Sequence, residues 1–343
     1  MTEGFSERNK KILEAIIEDY IITAEPVGSR AVTKRHGLSL SPATVRNVMA
    51  DLEEMGFLSS PHTSAGRVPT DKAYRFYVDS LLAVGRIEKI ERERIRKRYS
   101  GSGRDIGIVL QETSRLLSSV SHYAGIVLAP RFSSTIFRQI EFVKLGGRRI
   151  LAILVAQNGS VQNKLIESEV ELSAAELVRM SNYLNELLEG LPVYQVREKV
   201  LAEMRSEKVH YDALLSRALR LSEQTLEMGG DQVFIEGQTN ILEQPEFADV
   251  QRMKELFRAF EEKGQLVNLL DRSISAQGVQ IFIGAETHLS QMEGLSVITS
   301  TYLSGKNTLG VLGVIGPTRM GYAKVIPIVD YTAKLVSKLL EED

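Results

Sequence analysis

Cysteine is missing from all 343 positions. That one absence removes disulfides, thiolate metal sites, cysteine nucleophiles and thiol redox sensing together, and a reducing cytoplasmic setting is the simplest home for such a chain. Long hydrophobic runs are missing too. No stretch of about 18 apolar residues occurs, and the opening MTEGFSERNKK lacks the apolar centre of a signal peptide. The sequence therefore predicts neither secretion nor a membrane span. It also lacks low-complexity tracts and internal repeats of about 20 to 50 residues, and it lacks a strong excess of either charge, the formal net value being -2.

What is present is an ordinary soluble composition. Hydrophobic residues make up 43% and charged residues 25%, outside the polar, highly charged range of disordered chains. At this length more than one core is expected. The charge is unevenly spread: residues 1–100 carry 17 Lys and Arg against 14 Asp and Glu, the remainder 25 against 30. Only the first segment leans basic, as an end that meets an anionic polymer would, but so small a bias needs a motif to support it.

The motif begins at Ser6. In SERNKKILEAIIEDYIITAEP, residues Ile12, Leu13, Ile16, Ile17, Tyr20 and Ile21 recur at helical spacing, with Ser6 as N-cap and Pro26 beyond the end. A second, short helix in GSRAVTKRHG takes Ser29 as N-cap, buries Ala31 and Val32, and stops at Gly37. Ser41 then caps a third helix with Pro42 at its first position, where a missing N–H does no harm. On a 100° wheel Val45, Val48, Met49 and Leu52 share one face, while Ala43, Arg46, Asn47 and Ala50 share the other. After Gly56 the run FLSSPHTSAGRVPT reads as strand, turn-rich loop and strand. Three helices and a hairpin in this order predict a winged helix-turn-helix.

Residues 71–99 read as helix, with an apolar stripe of Ala73, Phe76, Tyr77, Leu81 and Leu82 and a charged, solvated continuation; GSGRD at 101–105 reads as a linker and domain boundary. Beyond it a helix, DIGIVLQETSRLLSSVS, leads into YAGIVLAP, FRQIEFVKL, RRILAILVA and SVQNKLIESE, which read as one antiparallel sheet. From Ser173 to about Gly229 the pattern is helical. Then come the strand VFIEG, the helix DVQRMKELFRAFEEKGQLVNLLDR, the strands GVQIFIGAE, LSVITSTYL and TLGVLGVIGP, and a final helix DYTAKLVSKLLEE. Sheet, helical block, sheet fits either a domain inserted in another or two consecutive α+β domains.

In a helix-turn-helix the second helix of the motif enters the major groove, N-terminal residues first. Here that helix starts at Ser41. Arg46 can pair with guanine O6 and N7 and Asn47 with adenine N6 and N7, while Ala43 and Ala50 let the backbone approach or touch a thymine methyl; Thr44 lies in the same first turn. The competing reading is a plain solvated face; two preceding helices, a short turn, small neighbours and a following hairpin weigh against it. In the hairpin His62, Thr63, Ser64 and Arg67 are candidates for backbone or minor-groove contacts, with an ordinary polar turn as the alternative, and Ser29 and Arg30 are candidates for a phosphate.

Enzymatic signatures are thin. His36, His62, His122, His210 and His288 are scattered with no i, i+4 pair. SGKNT at 304–308 lacks the upstream Gly and the Lys-Ser/Thr step of a phosphate loop. Gly310, Gly313 and Gly316 sit among strand residues with no helix directly after them, and no GxSxG elbow occurs. No enzyme, metal or cofactor is expected.

EPVGSRAVTKRHGLSLSPATVRNVMADLEEMGFLSSPHTSAGRVPTDKAYRFYVD, HYAGIVLAP, EGQTNILEQPEF and GVQIFIGAE resemble the HrcA family of heat-inducible transcription repressors, from about Ser6 to Leu340. The resemblance implies an α+β multidomain protein: a winged helix at 1–100 with its connector, a GAF-like domain in two segments, 101–171 and 247–343, and a mainly helical dimerising domain inserted at 172–246. It further implies a homodimer on double-stranded DNA carrying an inverted repeat, ahead of chaperone genes, kept active by a GroEL-type chaperonin. Leu177, Met180, Leu184, Leu187, Leu188, Leu214, Leu215 and Leu219 are then candidates either for the dimer surface or for the insert's own core. A regulator controlled by a small effector in the GAF-like domain is the alternative function.

Overall fold

The structure is a computed structural model that describes residues 6–37, 40–61, 66–99, 106–130, 136–157, 159, 161–204, 213–226, 232–274, 276, 278–304 and 307–341. The chain divides into two compact units, one of 1–101, 110–127 and 233–343, the other of 102–109 and 128–232.

In the first unit, helices α1 (Glu7–Thr23), α2 (Ser29–Arg35) and α3 (Pro42–Glu54) precede strands β1 (Leu58–Ser59) and β2 (Val68–Pro69). Ser6 caps α1 by accepting from the Asn9 N–H. Ile12, Leu13, Ile16, Ile17, Val32, Val45, Leu52, Leu58 and Ala73 are all at or below 2% exposure and form one core, because each helix brings its apolar stripe to the same centre. At the α1–α2 junction the buried Asp19 carboxylate lies 3.2 Å from His36 Nε2 and 3.4 Å from Arg35 Nη1. Thr70 caps α4 (Asp71–Phe76), which runs into a π-helical turn over Tyr77–Leu81.

The expected helix over 71–99 is interrupted. Residues 82–88 carry no helix, and α5 (Lys89–Arg98) starts afresh; Ala83, Val84, Gly85 and Arg86 are exposed in a row, and only Ile87 of the segment is buried. α6 (Ile106–Ser121) leads to β3 (Ala124–Leu128). The chain returns to this unit at β7 (Val233–Glu236), then α10 (Gln238–Leu242), α11 (Val250–Glu261), α12 (Lys263–Ile274), β8 (Val279–Ile283), β9 (Leu295–Ser304), β10 (Asn307–Pro317) and α13 (Tyr322–Glu341). The single helix expected over 249–272 is two, broken at Glu262, whose ψ of 62° leaves the helical region. The last helix begins at Tyr322 rather than Asp330, because Pro327 is accommodated inside it instead of ending it.

The five strands lie in the order β7-β3-β10-β9-β8, with β9 antiparallel to both β8 and β10. β9 and β10 are largely buried along both faces; β10 is accordingly rich in apolar residues, while β9 mixes Leu, Val, Ile and Tyr with buried Ser296, Thr299 and Ser300. Ser273–Thr299 and Ser296–Tyr322 hydrogen bonds, at 2.8 and 2.9 Å, satisfy the hydroxyls against this sheet.

In the second unit β4 (Phe137–Gly146), β5 (Arg149–Ala156) and β6 (Val161–Glu167) form a separate three-stranded antiparallel sheet, joined by α7 (Ala174–Leu188), α8 (Val193–Met204) and α9 (Ala213–Leu226). The strands expected to pair with YAGIVLAP therefore do not: β3 belongs to the five-stranded sheet, and 137–167 group with the helices. This compact unit, of 102–109 and 128–232, therefore packs its helices on a sheet of its own. Its core takes Phe137, Ile140, Phe142, Ile150 and Leu154 from the sheet and Leu177, Met180, Leu184, Leu188 and Leu219 from the helices. Those leucines are thus core, with Leu187 packed against it; the side chains of Leu214 and Leu215 lie outside the described residues. Asn185 Oδ1 accepts from the Ile140 N–H at 2.7 Å and Ser181 Oγ from the Phe142 N–H at 3.1 Å, so α7 closes the free edge of β4.

Candidate nucleic-acid interface

Helix α3 is presented by its cap and by its buried side. Ser41 Oγ accepts from the Thr44 N–H at 3.1 Å and lies 2.9 Å from the Thr44 hydroxyl, which occupies Ser41 and Thr44 with the start of the helix. Val45, Val48, Met49 and Leu52 are buried. Ala43, Arg46, Asn47 and Ala50 are all exposed, so the wheel's division of the helix holds. Among the described residues neither Arg46 nor Asn47 has a hydrogen-bond or ion-pair partner. An Arg and an Asn left unpaired between two alanines form a surface rich in donors and free of bulk, which suits a base edge.

The hairpin that follows is anchored on the helices. β1 and β2 pair through Leu58↔Pro69 and Ser59↔Val68, and Val27 and Arg67 exchange two backbone hydrogen bonds of 2.9 Å. That second pairing requires Gly66: a Cβ there would lie 2.5 Å from the Val27 carbonyl oxygen. His62, Thr63 and Ser64, the expected backbone contacts, lie outside the described residues.

Arg67 Nε donates to Glu53 Oε2 at 2.8 Å and its Nη1 to Ser60 Oγ at 3.2 Å, so its guanidinium ties the base of the hairpin to the last turn of α3. One expectation changes. Ser29 is not the N-cap of α2. Gly28 holds that position without a side-chain hydrogen bond, and Ser29 is buried one residue in, because the chain is already helical there. Arg30 beside it is exposed. Sequence spacing missed Glu53, since nothing local marks a partner fourteen residues away.

Residues 4–80 match the family described as "Winged helix-turn-helix transcription repressor, HrcA DNA-binding", and residues 108–326 match "HrcA protein C terminal domain". The heat-inducible transcription repressor HrcA of Geobacter sulfurreducens is 83% identical over 98% of both chains, and that of Syntrophobacter fumaroxidans 48% identical, also over 98% of both. This chain belongs to the HrcA family. Its N-terminal α1–β2 segment is accordingly the winged helix of an HrcA repressor, a non-enzymatic role. A crystal structure of a hypothetical protein, 21% identical with a TM-score of 0.66, covers 98% of this chain and 99% of its own, and shares the fold. Among the described residues no helix is long and apolar enough to cross a membrane.

Proposed function

We propose that the protein is a homodimeric repressor that binds an inverted-repeat operator ahead of chaperone genes in the cytoplasm, with α3 as its reading helix. The observation that carries this reading is the pair Arg46 and Asn47, exposed and unpaired among the described residues, on a capped helix whose opposite face is core. Arg30 and the hairpin residues His62, Thr63 and Ser64 supply backbone contacts, and Arg67 acts by holding the hairpin. The five-stranded sheet with its helices is the GAF-like domain, and the unit over 128–232 is the dimerising insert.

The dimer surface in this reading is the outer face of the three-stranded sheet. Val143 pairs with Leu151 and Leu151 with Leu165, while Val155 pairs with Val161. Strand alternation sends this set away from the core. Val143, Leu165 and Val161 are 41%, 55% and 57% exposed, and exposed apolar residues grouped on one sheet face suit an interaction site. A two-fold axis satisfies both the patch and an inverted repeat.

Control by heat needs no ligand pocket. A marginally stable fold or dimer loses DNA-binding population as temperature rises, and a GroEL-type chaperonin that rescues unfolded chains restores it until other clients occupy it. The test is a mobility shift of purified protein on inverted-repeat duplex DNA against a scrambled duplex. Equal binding to both defeats the proposal.

A further inference from the structure

The winged helix is fastened to the five-stranded body by charged groups at the two ends of α4, Asp71 and Arg75. Arg75 forms a two-toothed pair with Glu286, one contact at 2.9 Å, and its Nη2 donates to the Ile281 carbonyl at 2.6 Å. Asp71 Oδ2 accepts from the Ala285 N–H at 3.0 Å. The approach is so close that a Cβ on Gly284, whose φ is +52°, would fall on the Asp71 carboxylate. Arg272 of α12 holds the same turn from the other side, donating to the Glu286 and Thr287 carbonyls. On the far side of the winged helix, Arg319, paired with Glu246, donates to the Ile21 carbonyl in the last turn of α1 at 3.1 Å. Burial pulls the Glu286 carboxyl up, but hydrogen bonds from Arg75 and the Ile283 N–H, with the charges of Arg75 and Arg272, leave it below its ordinary range.

The covalent connection is by contrast irregular, with Ile87 as its one buried residue. Residues 82–88 join the π-helical turn to α5 with no helix or strand, and α5 belongs to the body, through Lys324–Glu91 at 3.6 Å and Arg92 over the Tyr331 ring. Seven extended residues reach roughly 23 Å. A winged helix on that tether alone would accept half-sites over a wide range of spacings.

We propose that Asp71, Arg75 and Glu286 are spacing-specificity residues: without touching DNA, they fix the reading helix to the body and so set which half-site separation the repressor accepts. This rests on the dimeric, inverted-repeat reading above. A second reading head contributes affinity only where geometry lets both engage, so a rigid mount narrows the accepted spacing and a loose one widens it.

The experiment uses the full chain. Duplex DNA selected by the wild-type protein from random sequence supplies the paired site. Its single half-site, and versions with the spacer shortened or lengthened by about one to three base pairs, complete the set. Arg75→Glu, and the gentler Arg75→Gln, are compared with wild type after circular dichroism melts. The expected result is half-site affinity within about twofold of wild type, affinity for the paired site down about tenfold, and a flattened dependence on spacer length. Unchanged spacer discrimination in both variants, or half-site and paired-site affinities falling together, overturns the proposal. A wild-type protein that selects no paired half-sites overturns the dimeric reading and this one with it.

Discussion

Arg46 and Asn47 owe their reach to what flanks them. Ala43 and Ala50 add no bulk, and the exposed turn leaves the two polar groups with no intramolecular partner among the described residues. Arg46→Ala or Asn47→Ala should cost about 1–3 kcal/mol of operator affinity and relax base preference at one position per half-site. Binding curves on single-base operator variants measure this, and an Arg46→Ala protein with wild-type affinity would remove the reading face from α3. Arg67 differs in kind. Because it is paired with Glu53, Arg67→Ala and Glu53→Ala should weaken binding in the same direction by loosening the hairpin. A phosphate-binding Arg67 predicts the opposite for Glu53→Ala, since removing a carboxylate would free the cation and raise affinity. Titration of both variants over a range of salt separates the two.

At the scale of elements, the amphipathic stripe of α7 and the outward row of β5 compete as interface, and burial decides between them. Leu177, Met180 and Leu184 are at or below 1% exposure, closed over by the inward faces of β4 and β5. Once the helices cover that side, the apolar residues of the other side have nothing from their own sheet to rest on. Leu165→Glu or Val143→Lys should therefore dissociate the proposed dimer, each change acting twice across a two-fold axis and costing about 2 kcal/mol or more per face. Sedimentation velocity reads the outcome, and Leu187→Glu serves as the contrast. Wild-type dimerisation in both sheet variants would exclude this face.

The same scale shows why parts of the organisation were legible and parts were not. The N-terminal helices follow from local signals, namely Ser6 and Ser41 as caps, Pro42 at the first position and stripes of period 3.6, and such signals depend on neighbours within a turn or two. The break at 82–88 and the survival of α13 through Pro327 depend on what packs against those segments. Which sheet β3 joins is a long-range choice too. Its all-buried sequence suits any interior strand, and only β7 and β10, more than a hundred residues away, decide it.

For the whole molecule, the proposed reading makes the population that is both folded and paired the governing quantity. Operator affinity should fall steeply with temperature through a heat-shock range, and added chaperonin with ATP should restore it, the restoration vanishing when an unfolded competitor protein is present in excess. Binding independent of temperature, with and without chaperonin, would count against this account.

By itself the sequence determined the winged helix, which face of α3 is left exposed and the absence of thiol chemistry, because residue types and periodicities within a few turns are enough for each. Tertiary structure alone decided that Arg67 is a brace, that Ser29 is buried, that the second unit carries its own sheet, and that Asp71 and Arg75 meet the turn at Glu286. The Arg67 and Glu286 contacts join groups from fourteen to more than two hundred residues apart, and no periodicity records a partner at that distance.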